Sequence, residues 1–168
     1  MHFPYPRMAD IWKVMQEFRG NGIVSAIGVC NFRERHWEAL SRTWEFTPEI
    51  VQTEIHPLRT ADSLMRFYRE RNLAIQAYSP LALMNPKLAR ATAILKLAEK
   101  YEKTPAQIIL RWHIEKGFFP LPKASSIGRL KENFSVFDFR LEAEETEEIS
   151  ALNCGWKCCL ESTLCVGY

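Results

Sequence analysis

Long apolar runs are missing from this 168-residue chain: no stretch reaches the roughly 18 uninterrupted apolar residues of a membrane-spanning helix. Net charge is nearly missing as well. Its 22 basic and 20 acidic side chains leave +2, so no bulk field draws the chain to nucleic acid or to an anionic membrane. Glycine is sparse, with seven residues. The single Gly-x-Gly, Gly20-Asn21-Gly22, precedes an apolar run instead of joining strand to helix. It therefore cannot build the dinucleotide fingerprint, and it reads as a helix stop. No Gly-x-Ser-x-Gly elbow or His-Glu-x-x-His helix is present. The histidines, His2, His36, His56 and His113, are few and scattered. The opening MHFPYPRMAD lacks the basic region and apolar core of a secretory signal. The five cysteines accordingly read as reduced thiols of a cytoplasmic protein. Four of them, Cys154, Cys158, Cys159 and Cys165, crowd the C-terminal end without histidines nearby or doubled Cys-x2–4-Cys spacing. A tail with free thiols is expected there, not a metal site.

What is present is ordinary globular composition, 47% hydrophobic and 25% charged. Four β-prone runs stand out: Ile23–Val29, Ile50–Ile55, Leu73–Tyr78 and Phe118–Pro122. Turn-prone residues such as Asn31, Pro57, Pro80 and Ser125 follow them. Between the runs lie segments with helical spacing. Their stripes are Ile11, Val14, Met15 and Phe18; Trp37, Leu40 and Trp44; Leu64, Phe67 and Tyr68; and Ile94, Leu95, Ala98 and Tyr101. Thr104-Pro105-Ala106-Gln107 reads as a capping box that opens a further helix, with Ile108, Ile109 and Trp112 on its buried face. Alternating strands and helices predict parallel βα units in one domain over residues 1–168. Near-continuous apolar strands predict a sheet covered on both faces. An open doubly wound sheet and a closed (β/α)8 barrel fit this alternation equally. Pro122 through Arg129, with Lys123, Ser125, Ser126 and Arg129 ahead of a helix beginning near Gly128, has the chemistry of a phosphate-binding βα loop.

At this point a set of phrases resembles the aldo-keto reductase family. Ala26-Ile27-Gly28-Val29-Cys30-Asn31-Phe32 is similar to IGVSNF, and Val51-Gln52-Thr53-Glu54-Ile55-His56-Pro57 to NQxExHP. Ala77-Tyr78-Ser79-Pro80-Leu81 matches AYSPL, and Lys103 through Gln107 resembles KTxAQ. Pro122-Lys123 through Arg129 with Glu132-Asn133 resembles PKSxxxxRIxEN. Each phrase alone is weak; in this order they are specific. The resemblance implies a (β/α)8 TIM barrel of about 250 residues. This chain would be its C-terminal half, from the end of strand four through strand eight and the C-terminal loop.

It also implies roles. Asn31 and Gln52, beside Cys30, match residues that hold a nicotinamide carboxamide, where an amide can pair with an amide. Tyr78 matches the aromatic that stacks on the ring, and Ser79 and Leu81 flank it. Lys123, Ser126 and Arg129, with Ser125, match the surroundings of an adenosine 2′-phosphate, implying NADP(H) as cofactor. Glu132 and Asn133 match adenine contacts. His2 matches the catalytic histidine that orients the substrate carbonyl, and Trp156 and Cys159 resemble the loop that shapes substrate choice. Cys30 replaces the family serine, Ala124 a second serine, and Val51 an asparagine. The family's catalytic aspartate, tyrosine and lysine precede strand four, so His2 is the one member of that set matched here; Tyr5 has no lysine in the matching pattern. The expectation is an NADPH-dependent reductase of small aldehydes or ketones, inactive as this chain alone. The alternative is a non-catalytic NADP(H)-binding or protein-interaction relic. Half a barrel also has open strand edges, which predicts self-association.

Overall fold

Four strands, β1 (Gly28–Cys30), β2 (Ile50–Glu54), β3 (Ala74–Tyr78) and β4 (Phe119–Leu121), lie in one sheet in chain order. The computed structural model describes residues 1–4 and 6–158. α1 (Met8–Gly20) precedes β1, and between the strands run α2 (Glu34–Ser41), α3 (Asp62–Arg69), α4 (Pro86–Ala89), α5 (Thr92–Tyr101) and α6 (Pro105–Glu115). A 3-10 turn (Ala82–Met84) precedes α4, and α7 (Ile127–Phe134) and α8 (Ala143–Ser150) follow β4. β1 and β2 are parallel, with Gly28, Val29 and Cys30 opposite Ile50, Val51 and Gln52. The expected α/β architecture with a parallel sheet is present. Two compact units divide the described chain: Met1–Thr53 with Asp62–Gln76, and Glu54–Ala61 with Ala77–Cys158.

In the first unit, Trp12, Phe32, Leu40, Val51, Met65 and Tyr68 are among the fully buried side chains. The approach of β1 to β2 depends on Gly28. A Cβ there would lie 2.6 Å from the Ile50 carbonyl oxygen and 2.9 Å from its Cβ, so no side chain fits. The hydroxyl of Tyr68 donates to the Phe32 carbonyl and ties α3 to the turn after β1. Two expectations need correcting. The run over 23–29 forms a strand only at Gly28–Cys30; Ile23 is 66% exposed and follows Gly22, whose φ of 71° makes a turn. The α1 stripe was expected to face the core, yet Ile11, Val14 and Phe18 are exposed while Trp12 and Gln16 are buried. Hydrogen bonds decide this. Gln16 Oε1 accepts from the Glu45 and Phe46 amides, Gln16 Nε2 donates to the Thr43 carbonyl, and Trp12 Nε1 donates to the Phe46 carbonyl. An amide hydrogen-bonded at both its oxygen and its nitrogen is cheap to bury.

The second unit is built on α5, α6 and α8. Ile94, Ile108, Ile109, Trp112 and Ile149 are completely buried, whereas Leu95, assigned to the α5 stripe from sequence, is exposed. The α6 capping box forms as expected: Gln107 N donates to Thr104 Oγ1 at 3.3 Å, and Thr104 N to Gln107 Oε1 at 2.9 Å. Trp112 Nε1 reaches the Thr146 carbonyl and Ser150 Oγ, clamping α6 to α8. β4 departs from the expected double cover. Phe119 and Leu121 are exposed, and α7 has no buried residue. Among the described residues, no helix is long and apolar enough to cross a membrane.

Candidate functional site

Three residues with implied cofactor or catalytic roles meet in the first unit. β1 ends at Cys30, and Asn31 after it has a φ of 59°, in the left-handed region that asparagine tolerates. This turn sends the Asn31 amide to the Gln52 carbonyl at 2.9 Å and its Nδ2 to the His2 carbonyl at 3.4 Å. His2 reaches this place because Met1 runs beside β1: Cys30 N donates to the Met1 carbonyl, and the Met1 amino group to the Gly28 carbonyl, both at 2.8 Å. The His2 ring is exposed and packs edge-on against buried Phe3. Gln52 Nε2 donates to Gln76 Oε1 at 2.9 Å, so two amides from neighbouring strands are coupled. Gln76 was not picked out from sequence, although its place two residues before Tyr78 on β3 puts it on the same face. Burial pushes the Cys30 thiol up from its ordinary range, against a smaller opposing effect of the Met1 amino group. Cys30 is thus a neutral thiol at pH 7.

The second unit holds the remaining matches. Tyr78 ends β3, and Ser79 after it takes φ 49° with its carbonyl accepting from Ala82 N. Leu81 accepts from Met84 N and opens the 3-10 turn. Ser126 caps α7, its hydroxyl accepting from Arg129 N at 3.2 Å. Lys123, Ser125, Ser126 and Arg129 are all exposed around that helix start. Among the described residues, the Lys123 and Arg129 side chains have no hydrogen-bond or ion-pair partner. Two unneutralised cations beside a helix N-terminus fit an added phosphate. Glu132 behaves differently. Its Oε1 accepts from Thr104 Oγ1 at 2.6 Å and its carbonyl from Gln107 Nε2, so it already ties α7 to the start of α6. Asn133 is half-buried one residue on.

A further cluster in this unit involves residues that the phrases contained but to which no role was given. Glu54 and His56, two apart in extended chain, point to one side and are both fully buried. His56 Nε2 lies 3.0 Å from Glu54 Oε1, which also accepts from Cys158 N at 2.8 Å. Burial pushes the Glu54 carboxyl up, but the His56 and Cys158 hydrogen bonds and the Arg59 charge outweigh this and hold it below the usual range. The ionised carboxylate makes His56 Nε2 the donor. Ligand atoms of Glu54, His56 and Cys158 all lie within 4.8 Å of one another. Trp156 is half-buried with its ring 5.7 Å from that of His56. Tyr5, Cys159 and Cys165 lie outside the described residues.

With this geometry in view, likeness to known proteins is informative. The model of the Aldo/keto reductase family matches residues 1–153. Methylglyoxal reductase DkgA of Escherichia coli (strain K12) is 39% identical over 158 residues, covering 92% of this chain and 58% of that protein. Aldo-keto reductase family 1 member A1 of Gallus gallus is 34% identical over 165 residues, covering 94% and 50%. The crystal structure of an aldo/keto reductase from Brucella melitensis superposes with a TM-score of 0.84 at 37% identity, covering 91% of this chain and 59% of that one. The Bombyx mori aldo-keto reductase in complex with NADP gives a TM-score of 0.84 at 29% identity, covering 95% and 58%. The chain thus spans 50% to 58% of the length of these two curated relatives.

Proposed function

We propose, from the premise that this chain belongs to the aldo/keto reductase family, that it is the NADP(H)-binding segment of a (β/α)8 reductase of small aldehydes or ketones. Residues 1–168 act as one barrel segment, from the end of strand four onward. The observation that carries this reading is that Asn31, just after β1, hydrogen-bonds to the backbone carbonyls of His2 and of Gln52 in β2. Bound NADPH would supply hydride to the carbonyl carbon. Asn31 and Gln52 hold the carboxamide, so that one ring face is presented, and Tyr78 offers its ring as a stacking surface, with Cys30, Ser79 and Leu81 lining the same cofactor. Lys123, Ser125, Ser126 and Arg129 bind the 2′-phosphate; Glu132 and Asn133 lie by the adenine, Glu132 through whatever acceptor capacity Thr104 leaves. His2 orients the carbonyl oxygen, and Trp156 and Cys159 bound the substrate.

These 168 residues contain no match to the family's aspartate–tyrosine–lysine set. A phenol with pKa near 10 needs such neighbours to act as an acid at neutral pH, so this chain alone binds cofactor without turning over. That absence also favours the second reading, a non-catalytic NADP(H)-binding or protein-interaction relic. The five cysteines suit a cytoplasmic setting, where thiols stay reduced. NADPH fluorescence titration, paired with an aldehyde turnover assay on the same sample, tests the assignment. Binding without turnover is expected. Turnover at ordinary reductase rates would overturn the placing of the proton donor outside this chain, and no binding would overturn the cofactor reading.

The reading includes self-association. Phe119, Leu121, Ile127, Leu130, Phe134 and Phe137 are all exposed on and around β4 and α7 in the second unit. A concentration of apolar surface of this kind is unusual on a monomer. Equilibrium sedimentation should return twice the 19.6 kDa chain mass or more. A single species of monomer mass would overturn this part.

A further inference from the structure

We infer that Glu54, through His56 and the Cys158 amide, is a positioning residue that seats the Trp156 segment for substrate recognition; this rests on the reading of Trp156 as a substrate-loop residue. Residues 153–158 carry no helix or strand and are hydrogen-bonded to the loop after β2. The Leu58 carbonyl accepts from the Cys154 and Trp156 amides at 3.2 and 3.1 Å, and Thr60 N donates to Asn153 Oδ1 at 3.5 Å. These are neutral bonds at ordinary to long distance. The Glu54 carboxylate adds a charged bond, to Cys158 N at 2.8 Å, from a fully buried position where such a bond is strongest.

The same carboxylate fixes the His56 imidazole, and that ring stands beside the Trp156 indole. Glu54 therefore acts on Trp156 by two routes, through the backbone two residues on and through the neighbouring imidazole ring. A backbone-only attachment would leave the indole free to turn. Arg59 adds a third constraint, donating to the Glu54 carbonyl and standing as a positive charge near the carboxylate.

A metal centre on Glu54, His56 and Cys158 is the competing account. It is disfavoured because His56 Nε2 and the Cys158 amide already donate to one Glu54 oxygen and the Arg59 charge stands near the carboxylate, where it repels a cation.

Amide hydrogen exchange on the 168-residue chain decides the matter. Glu54→Ala should accelerate exchange at Cys154, Trp156 and Cys158 together by about 30-fold or more, while Ile109 in α6 changes by less than about threefold. Glu54→Gln keeps an acceptor of equal reach and should restore protection to within about fivefold of wild type. Acceleration at Cys158 alone, equal acceleration at Ile109, or no rescue by glutamine would each overturn the inference. So would micromolar zinc binding that Glu54→Gln abolishes. Should Glu54→Ala not fold, wild-type protection of the Cys158 amide remains the measure, and exchange at its random-coil rate refutes the anchor. A parallel NADPH titration separates the outcomes: lost cofactor binding with an intact exchange pattern counts against the proposed function, not against the anchor.

Discussion

Replacing Lys123 and Arg129 together by alanine is expected to weaken NADPH binding about 100-fold and to leave NADH binding within about threefold of wild type. The two cofactors differ by one phosphate, so the difference isolates what these two cations do. Each charge-assisted bond contributes about 1.5–3 kcal/mol when formed, and every 1.4 kcal/mol is about a factor of ten. Both side chains are exposed, so the lower end of that range applies. Neither cation has an ion-pair partner among the described residues, so the substitution breaks no ion pair there. Ser126→Ala deletes the α7 cap, at about 1 kcal/mol of helix-start stability, together with a hydroxyl assigned to the 2′-phosphate, so it too should weaken NADPH more than NADH. Higher salt should act like the double substitution, weakening NADPH more than NADH. Fluorescence titrations of both cofactors on each variant check the pattern. Equal losses for NADPH and NADH in the double variant would mean that the cations shape the loop instead of binding phosphate.

Locally determined features were legible in the sequence, and features fixed at long range were not. The Thr104–Gln107 capping box involves four consecutive residues and forms as read. The ends of β1 and β3, where Asn31 and Ser79 enter the left-handed region, follow apolar runs that any pattern reading finds. The α1 stripe failed for the opposite reason. Its apolar residues have correct helical spacing, but its orientation is set by Gln16 bonding to Thr43, Glu45 and Phe46, about 30 positions on. No periodicity records such partners. Glu54 and His56 were visible as a phrase but carried no assignment, because their third partner, Cys158, lies 104 residues away. Conversely, β4 reads as a covered strand from composition while Phe119 is 59% exposed, since composition cannot say which neighbours are at hand to cover it.

Acidification should destabilise the chain by up to about 1.4 kcal/mol per pH unit below pH 6.5, through His113. His113 is fully buried in α6, and Nε2 lies 3.1 Å from the Pro80 carbonyl, which can only accept; the proton of the neutral ring is therefore on Nε2. Nδ1 has no partner among the described residues. Charging the ring would place a cation in apolar surroundings with an unanswered donor. Burial pushes its pKa from 6.5 down to about 3, outweighing the opposing Pro80 hydrogen bond, and the repulsion of nearby His56 adds a smaller push in the same direction. In the unfolded chain the ring protonates near its ordinary value. Between those two values the unfolded state binds the extra proton, so stability is full above pH 6.5 and falls as pH drops toward 3. Glu54 acts in the same direction only lower, because its depressed carboxyl loses its contribution below about pH 4.5. The interval from pH 6.5 to 4.5 consequently belongs to the histidine, where about 2 to 3 kcal/mol should be lost. Urea unfolding followed by tryptophan fluorescence at half-unit steps measures it. His113→Gln keeps a donor for the Pro80 carbonyl without a titrating ring, and its stability should be flat over that interval. A wild-type chain as stable at pH 4.5 as at pH 7, or a glutamine variant with an undiminished slope, would show that His113 is not the group being charged.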